Sequence, residues 1–120
     1  MRSRSVKHFV TMTARDELLD RTMTALADRT RRKLIERLAS KPQRAGDLWR
    51  GIPMSRPAVS KHLRVLREAR LIQSSRRGRE MVYRLSPSHR GLDELGRYVQ
   101  QVSAFWDITL DAFKTFAEKE

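Results

Sequence analysis

The sequence predicts a mostly α-helical domain with one small β-hairpin, in the order α-α-α-α-β-β-α. Three observations lead there. Apolar residues recur at intervals of three and four through most of the chain. Thr13, Asp28 and Ser55 stand where helix N-caps belong, and prolines and glycines break the pattern between the periodic segments. Two short β-prone runs flank a glycine-containing turn between residues 71 and 83. The length, 120 residues, suits one compact domain.

Thr13 followed by Asp16 forms a capping-box pattern ahead of a first helix, with Leu18, Leu19, Met23 and Leu26 on its apolar side. Asp28 can cap a second helix, whose buried face is Leu34, Ile35 and Leu38. Lys41-Pro42 ends it, because proline disfavours helical backbone in the residue before it. Asp47, Leu48 and Trp49 fit a third, short helix, and Gly51 and Pro53 then break the chain. Ser55 is a good N-cap for a fourth helix. Pro57 falls in its first turn, where a missing N–H does no harm. Val59, Leu63 and Leu66 make one apolar stripe, which leaves Arg56, Ser60, Lys61 and Arg64 on other faces. Leu71-Ile72 and Met81-Val82-Tyr83 read as two short strands joined by the turn Arg76-Arg77-Gly78-Arg79. Ser86-Pro87-Ser88 interrupts once more. The long segment after it carries Leu92, Leu95, Val99, Val102, Trp106, Leu110 and Phe113 at the spacing of a helical seam. The chain thus divides into a basic arm (1–12), a helical unit with hairpin (13–86) and a last helix of the same domain (87–120).

The chain holds 26 Lys+Arg against 14 Asp+Glu, a formal net charge of +12. Such a balance points to a polyanion partner, either nucleic acid or an anionic membrane surface. The distribution favours a defined binding surface. Residues 55–90 hold ten basic side chains and only two acidic ones, Glu68 and Glu80, whereas residues 91–120 hold three basic and six acidic. There is no cysteine, which excludes disulfides, thiolate metal ligands and thiol redox switching. No apolar run is long enough to span a bilayer, and the basic N-terminus lacks a signal peptide's apolar stretch, so a cytoplasmic location is expected. There is no phosphate-cradling glycine loop, serine-nucleophile motif or carboxylate pair in an apolar setting, so the chain does not read as an enzyme.

The order helix, helix, short helix, polar-faced helix, basic hairpin is that of a winged helix-turn-helix. A helix in the major groove reads base edges through its first turns, where Ser55, Arg56, Ser60 and Lys61 sit. Arginine and lysine donate to guanine O6 and N7, and serine suits a phosphate or a base edge. A basic hairpin beside the helix can follow phosphates or enter the minor groove. Double-stranded DNA is therefore the expected partner. Charge alone would also suit a non-specific architectural binder.

Four stretches are similar to the ArsR/SmtB family of bacterial winged-helix repressors. They are Leu26-Ala27-Asp28-Arg29-Thr30-Arg31-Arg32, Met54-Ser55-Arg56-Pro57-Ala58-Val59-Ser60-Lys61-His62-Leu63, Leu66-Arg67-Glu68-Ala69, and Gly78 through Tyr83-Arg84-Leu85. The resemblance spans about residues 15–115. It implies a homodimer built from the first and last helices, with two recognition helices in successive major grooves. Carried onto this sequence, base reading falls to Arg56, Ser60 and Lys61, with Ser55, Pro57 and Arg64 adjacent, and the wing to Arg76, Arg77 and Arg79. The implied dimer surface takes Leu18 and Leu19 with Leu95, Val99, Val102, Trp106, Leu110 and Phe113. Two positions depart from the family pattern: Arg29 stands where many members have proline, and Arg70 where many have glycine. If Arg70 keeps the left-handed conformation, it costs roughly 1 kcal/mol. The positions matching the family's thiolate metal site are Arg44, Gly46 and Trp49, and the last helix region has only His89 toward the other metal site. The resemblance is therefore to the cysteine-free branch with an aromatic-rich last helix (Phe105-Trp106), and no metal or other cofactor is expected.

His62 reads as packed against the core beside Leu63 with a local hydrogen bond, rather than as a ligand or pH switch. His8 and His89 are isolated, and zinc shared across a dimer is the alternative for the three histidines. Trp49, Phe105, Trp106, Phe113 and Phe116 suit either a small-molecule pocket or an interface. Helical spacing favours the interface, since a short chain cannot bury so long a seam against itself. Met12, Met23 and Met54 read as gap fillers. Arg2, Arg4 and Lys7 suit a minor groove or a solvated tail. Operator, regulated gene and small-molecule effector are not legible at this level.

Overall fold

A computed structural model describes residues 13–119. The arm at 1–12, with Arg2, Arg4, Lys7, His8 and Met12, lies outside the described residues. The elements run α1 (Ala14–Ala25), α2 (Arg29–Ser40), β1 (Gln43–Arg44), α3 (Ala45–Leu48), α4 (Arg56–Glu68), β2 (Ile72–Arg77), β3 (Glu80–Leu85) and α5 (Arg90–Glu118). This is the expected mostly helical winged helix-turn-helix, with one addition: the two-residue strand β1 joins the hairpin in a sheet of order β1-β3-β2. Gln43 pairs with Tyr83 and Arg44 with Val82, so β3 is the central strand.

The caps fall where the sequence puts them. Thr13 and Asp16 form a reciprocal capping box on α1. The Asp28 side chain accepts from the Arg31 backbone N–H at 3.1 Å, and the Ser55 hydroxyl accepts from Ala58 N–H at 3.3 Å. Helix α2 stops at Ser40, one residue before Lys41-Pro42. Helix α4 ends in a Schellman arrangement: Leu71 N–H donates to Leu66 C=O at 3.0 Å and Arg70 N–H to Arg67 C=O at 2.9 Å. Arg70 takes the left-handed conformation this requires, with φ 62°.

The core closes within one chain. Leu34 of α2, Leu48 of α3, Val59, Leu63 and Leu66 of α4 and Ile72 of β2 are all at most 1% exposed. Ile35 is half-buried against them. Two arginines brace the packing. Arg31 donates to Ala25 C=O at 2.5 Å and Thr24 C=O at 3.3 Å, supplying the end of α1 with the cation its own last turn lacks. Arg37 reaches across to Leu48 C=O and Arg50 C=O at 2.6 and 2.7 Å, fixing α3 and the chain after it.

Several local expectations need correction. The buried side of α1 is Thr22 and Ala25; Leu18, Leu19 and Leu26 are half-buried, and Met23 is exposed. The cause is close helix packing. Thr22 faces Gly91 at the start of α5, where a β-carbon would lie 2.5 Å from the threonine hydroxyl, and large side chains do not fit such an approach. Helix α3 is Ala45–Leu48, so Trp49 is its C-cap rather than a member. The strands are longer than their apolar cores suggested. Arg76 and Arg77 belong to β2 opposite Met81 and Glu80, and the turn is Gly78-Arg79 alone. Gly78 has φ 63° at the first central position, as a type II′ hairpin turn requires.

Candidate nucleic-acid interface

Helix α4 is amphipathic in the sense a groove-reading helix needs. Its inner stripe, Val59, Leu63 and Leu66, is locked into the core, so the helix cannot rotate without opening it. The outer face then presents Arg56, Pro57, Ser60, Lys61 and Arg64 as exposed side chains, with Ser55 exposed at the cap. Ser60, Lys61, Arg64 and Arg67 line one shallow groove along this face, together with Tyr83 from β3. Arg56 lies over the Trp49 ring, its guanidinium carbon 5.4 Å from the ring centroid. That cation–π contact restrains a long side chain without using any of its donors. Spacing along the chain does not show this pairing, because it joins the C-cap of α3 to the first residue of α4.

The wing carries Arg76, Arg77 and Arg79 on exposed positions at and beside the turn. The nearby acid is occupied: the Glu80 carboxylate pairs with Arg44 of β1 at 3.1 Å. Among the described residues, none of the three wing arginines is in an ion pair, so their charge faces outward. The hairpin base is tied to α4 by Arg67 donating to Ser74 Oγ at 3.4 Å.

His62 sits behind the exposed face of α4 and is half-buried, and its hydrogen-bond partner is distant in sequence rather than local as expected. Arg31 Nη1 lies 3.2 Å from its Nδ1, and Asp28 Oδ1 is 3.9 Å away. The backbone N–H of Arg31 holds the Asp28 carboxyl below its ordinary pKa, with the charges of His62 and Arg31 adding to it and burial opposing. This cluster joins the end of α1, the start of α2 and the middle of α4. Among the described residues no group of three or more metal-ligating side chains converges, and no helix is long and apolar enough to cross a membrane.

The residues expected at a dimer surface divide. Leu18, Leu19, Leu95 and Val102 are half-buried within one chain. Val99, Trp106, Leu110 and Phe113 are 52–69% exposed, and Phe105, Ile108 and Phe116 are comparably bare. Phe105 and Trp106 touch edge to face with centroids 5.8 Å apart, while Trp49 stays with Arg56, so the five aromatics do not share one pocket.

A core-locked polar helix beside an outward-charged β-wing defines a winged helix-turn-helix DNA-binding regulator. The family model described as "Bacterial regulatory protein, arsR family" matches residues 28–74, from the cap of α2 into β2. The HTH-type transcriptional regulator Rv2034 of Mycobacterium tuberculosis is 43% identical over 101 residues, covering 84% of this chain and 90% of that one. The transcriptional repressor SdpR of Bacillus subtilis is 32% identical over 68 residues, covering 57% of this chain and 76% of its own. Among solved structures, the ArsR-like transcriptional regulator from Rhodococcus sp. RHA1 superposes with TM-score 0.60 at 34% identity, covering 84% of this chain and 93% of that one. The ArsR family transcriptional regulator RHA00566 reaches TM-score 0.68 at 24% identity, covering 80% and 97%, and shares the fold. The chain belongs to the arsR family of bacterial regulatory proteins. It is a DNA-binding transcriptional regulator and not an enzyme.

Proposed function

We propose that this regulator is a repressor that binds an imperfect palindrome as a homodimer in the cytoplasm. The observation that carries the reading is the fixed orientation of α4, whose buried stripe commits Arg56, Ser60 and Lys61 to the outside. Arg56, Ser60 and Lys61 contact base edges, Ser55, Pro57 and Arg64 border them, and Arg76, Arg77 and Arg79 follow the phosphates or enter the minor groove. Residues 13–86 form the reading unit, and 87–120 pair two copies through Leu18, Leu19, Leu95, Val99, Val102, Trp106, Leu110 and Phe113. The support for pairing is the long apolar face that one chain leaves uncovered. Two copies then present their α4 helices to half-sites about one helical turn apart. Occlusion of promoter DNA is the simplest route from such binding to repression.

Selection of bound duplexes from random DNA tests this directly. The expected result is an enriched palindrome with half-site centres about 10 base pairs apart. Affinity for it falls roughly a thousandfold between 50 and 200 mM salt if about six phosphates are neutralised. Arg56→Ala relaxes base preference, whereas Arg77→Ala weakens all sequences alike. Equal affinity for selected and random duplexes would replace the repressor reading with a non-specific architectural one.

A further inference from the structure

A second groove lies behind the exposed face of α4 and shares Arg67 with it. It is a groove of about 700 Å³ between α1, the end of α4, the base of the hairpin and the start of α5. That size falls within the range of small-molecule sites. Four arginines from three separate segments line it: Arg21 of α1, Arg67 and Arg70 at the end of α4, and Arg90 opening α5. Glu17 is the one acidic residue lining it. Among the described residues, none of these five side chains is in an ion pair. Uncompensated guanidinium groups gathered on one groove repel each other, and a bound anion relieves that repulsion. The planar guanidinium fork suits an oxyanion, which it can hold bidentately. The floor is of a different character. Ile72 and Ala69 are buried there, and Leu18 closes one side. The apolar surface left open in the groove comes from Ala14 and the aliphatic stems of the arginines, and a bare inorganic ion would leave it wet.

We propose that this groove binds a small amphipathic organic anion, an oxyanion head among Arg21, Arg67, Arg70 and Arg90 with a short hydrocarbon body along Ala14 and the aliphatic stems of the arginines, and that the anion weakens DNA binding through Arg67. Arg67 is shared. It lines this groove and also the groove of the reading face with Ser60, Lys61 and Arg64, and it holds Ser74 of the hairpin. An anion that captures Arg67 withdraws a positive charge from the reading face and loosens the tie between α4 and the wing. The regulatory half of this inference rests on the repressor reading above; the binding half does not.

The experiment is calorimetric titration of the full chain with octanoate, octyl phosphate and octan-1-ol, followed by anisotropy of the selected duplex with and without each at constant ionic strength. At least one anion binds, the alcohol does not, and the tighter anion tells a carboxylate from a phosphate-ester ligand. The exposed double substitution Arg21→Gln/Arg90→Gln weakens anion binding about tenfold or more while basal DNA affinity holds. Glu17→Gln moves the other way, tightening it about threefold. In the wild type, a saturating anion lowers DNA affinity; in the double variant at the same concentration it does not. No binding of either anion, equal binding of octan-1-ol, or anion binding untouched by the double substitution would overturn the site. Anion binding that leaves DNA affinity unchanged would overturn the coupling through Arg67. A chain that binds the anion but enriches no palindrome refutes the repressor reading instead.

Discussion

Replacing Gly91 with alanine tests the contact that joins α1 to α5. A β-carbon at Gly91 would stand 2.5 Å from Thr22 Oγ1, 3.4 Å from Leu71 Cδ2 and 3.7 Å from Leu18 Cδ1. The first of these is far inside van der Waals contact. Thr22 is fully buried, and its hydroxyl donates to Leu18 C=O at 2.9 Å. Its β-branched side chain has few rotamers to escape into, so the helices themselves must part. Overpacking of this kind costs about 1–3 kcal/mol. Removing a glycine from a helix returns at most about 1 kcal/mol, and less in the first turn, where Gly91 lies. The net expectation is a loss of about 1–2 kcal/mol, or roughly 3–10 °C in melting temperature for a chain of this size. Thermal unfolding followed by circular dichroism measures it. Thr22→Ala in the same chain removes the colliding oxygen, so the double variant is more stable than the two single effects summed, by about 1 kcal/mol. A Gly91→Ala protein as stable as the wild type, or strict additivity of the pair, would refute the close approach.

Three further outcomes are expected. Arg70→Gly relieves the left-handed backbone at φ 62° and raises stability by about 0.5–1 kcal/mol in denaturant titration, while weakening octanoate binding. Trp49→Leu frees the Arg56 guanidinium, which lies 5.4 Å above the ring, and lowers discrimination between matched and mismatched duplexes about three- to fivefold with non-specific affinity unchanged. Asp28 titrates below its ordinary value of 3.8 in the folded chain. Its contribution is therefore full above the unfolded carboxyl's pKa and is lost as pH falls through the lower folded one. Melting temperature thus drops more steeply below roughly pH 4 in the wild type than in Asp28→Asn, which keeps a capping oxygen without the titrating charge.

The parts legible in the sequence are those with local causes. Thr13, Asp28 and Ser55 begin their helices by bonding backbone N–H groups within three residues, and Pro42 ends one by its ring alone. The stripe Val59-Leu63-Leu66 similarly identifies the inner face of α4, and through it the outer face of the candidate site. What was misread has causes elsewhere in the chain. The buried face of α1 is set by Gly91, some seventy residues on, so apolarity favoured the leucines over Thr22 and Ala25. Strand β1 has no apolar pattern and exists because Gln43 and Arg44 find the free edge of β3. The polar end of β2 is carried by its ladder to β3 and by the glycine turn, not by alternation. The Arg56–Trp49 stack, the Arg31–His62 pair and the four-arginine groove all assemble from separated segments, and none leaves a spacing that could be read along the chain.

Helix α5 has a further implication for how such a regulator responds to its own abundance. Gly91 and Leu92 at its start belong to the packed body, whereas its last turns, beyond Phe105, run out bare over much of a length of about 43 Å. None of the buried core residues lies in these turns, so if two copies pair as proposed, pairing would be a separate equilibrium added to a reader whose core is already formed. Under the proposed dimeric reading, dilute protein is a pool of folded half-readers, and promoter occupancy rises with the square of concentration until pairing saturates. Such a gene would stay open at low protein levels and shut over a narrow range. Shaving apolar area from Phe113 or Phe116 would shift that threshold upward without touching a single base contact.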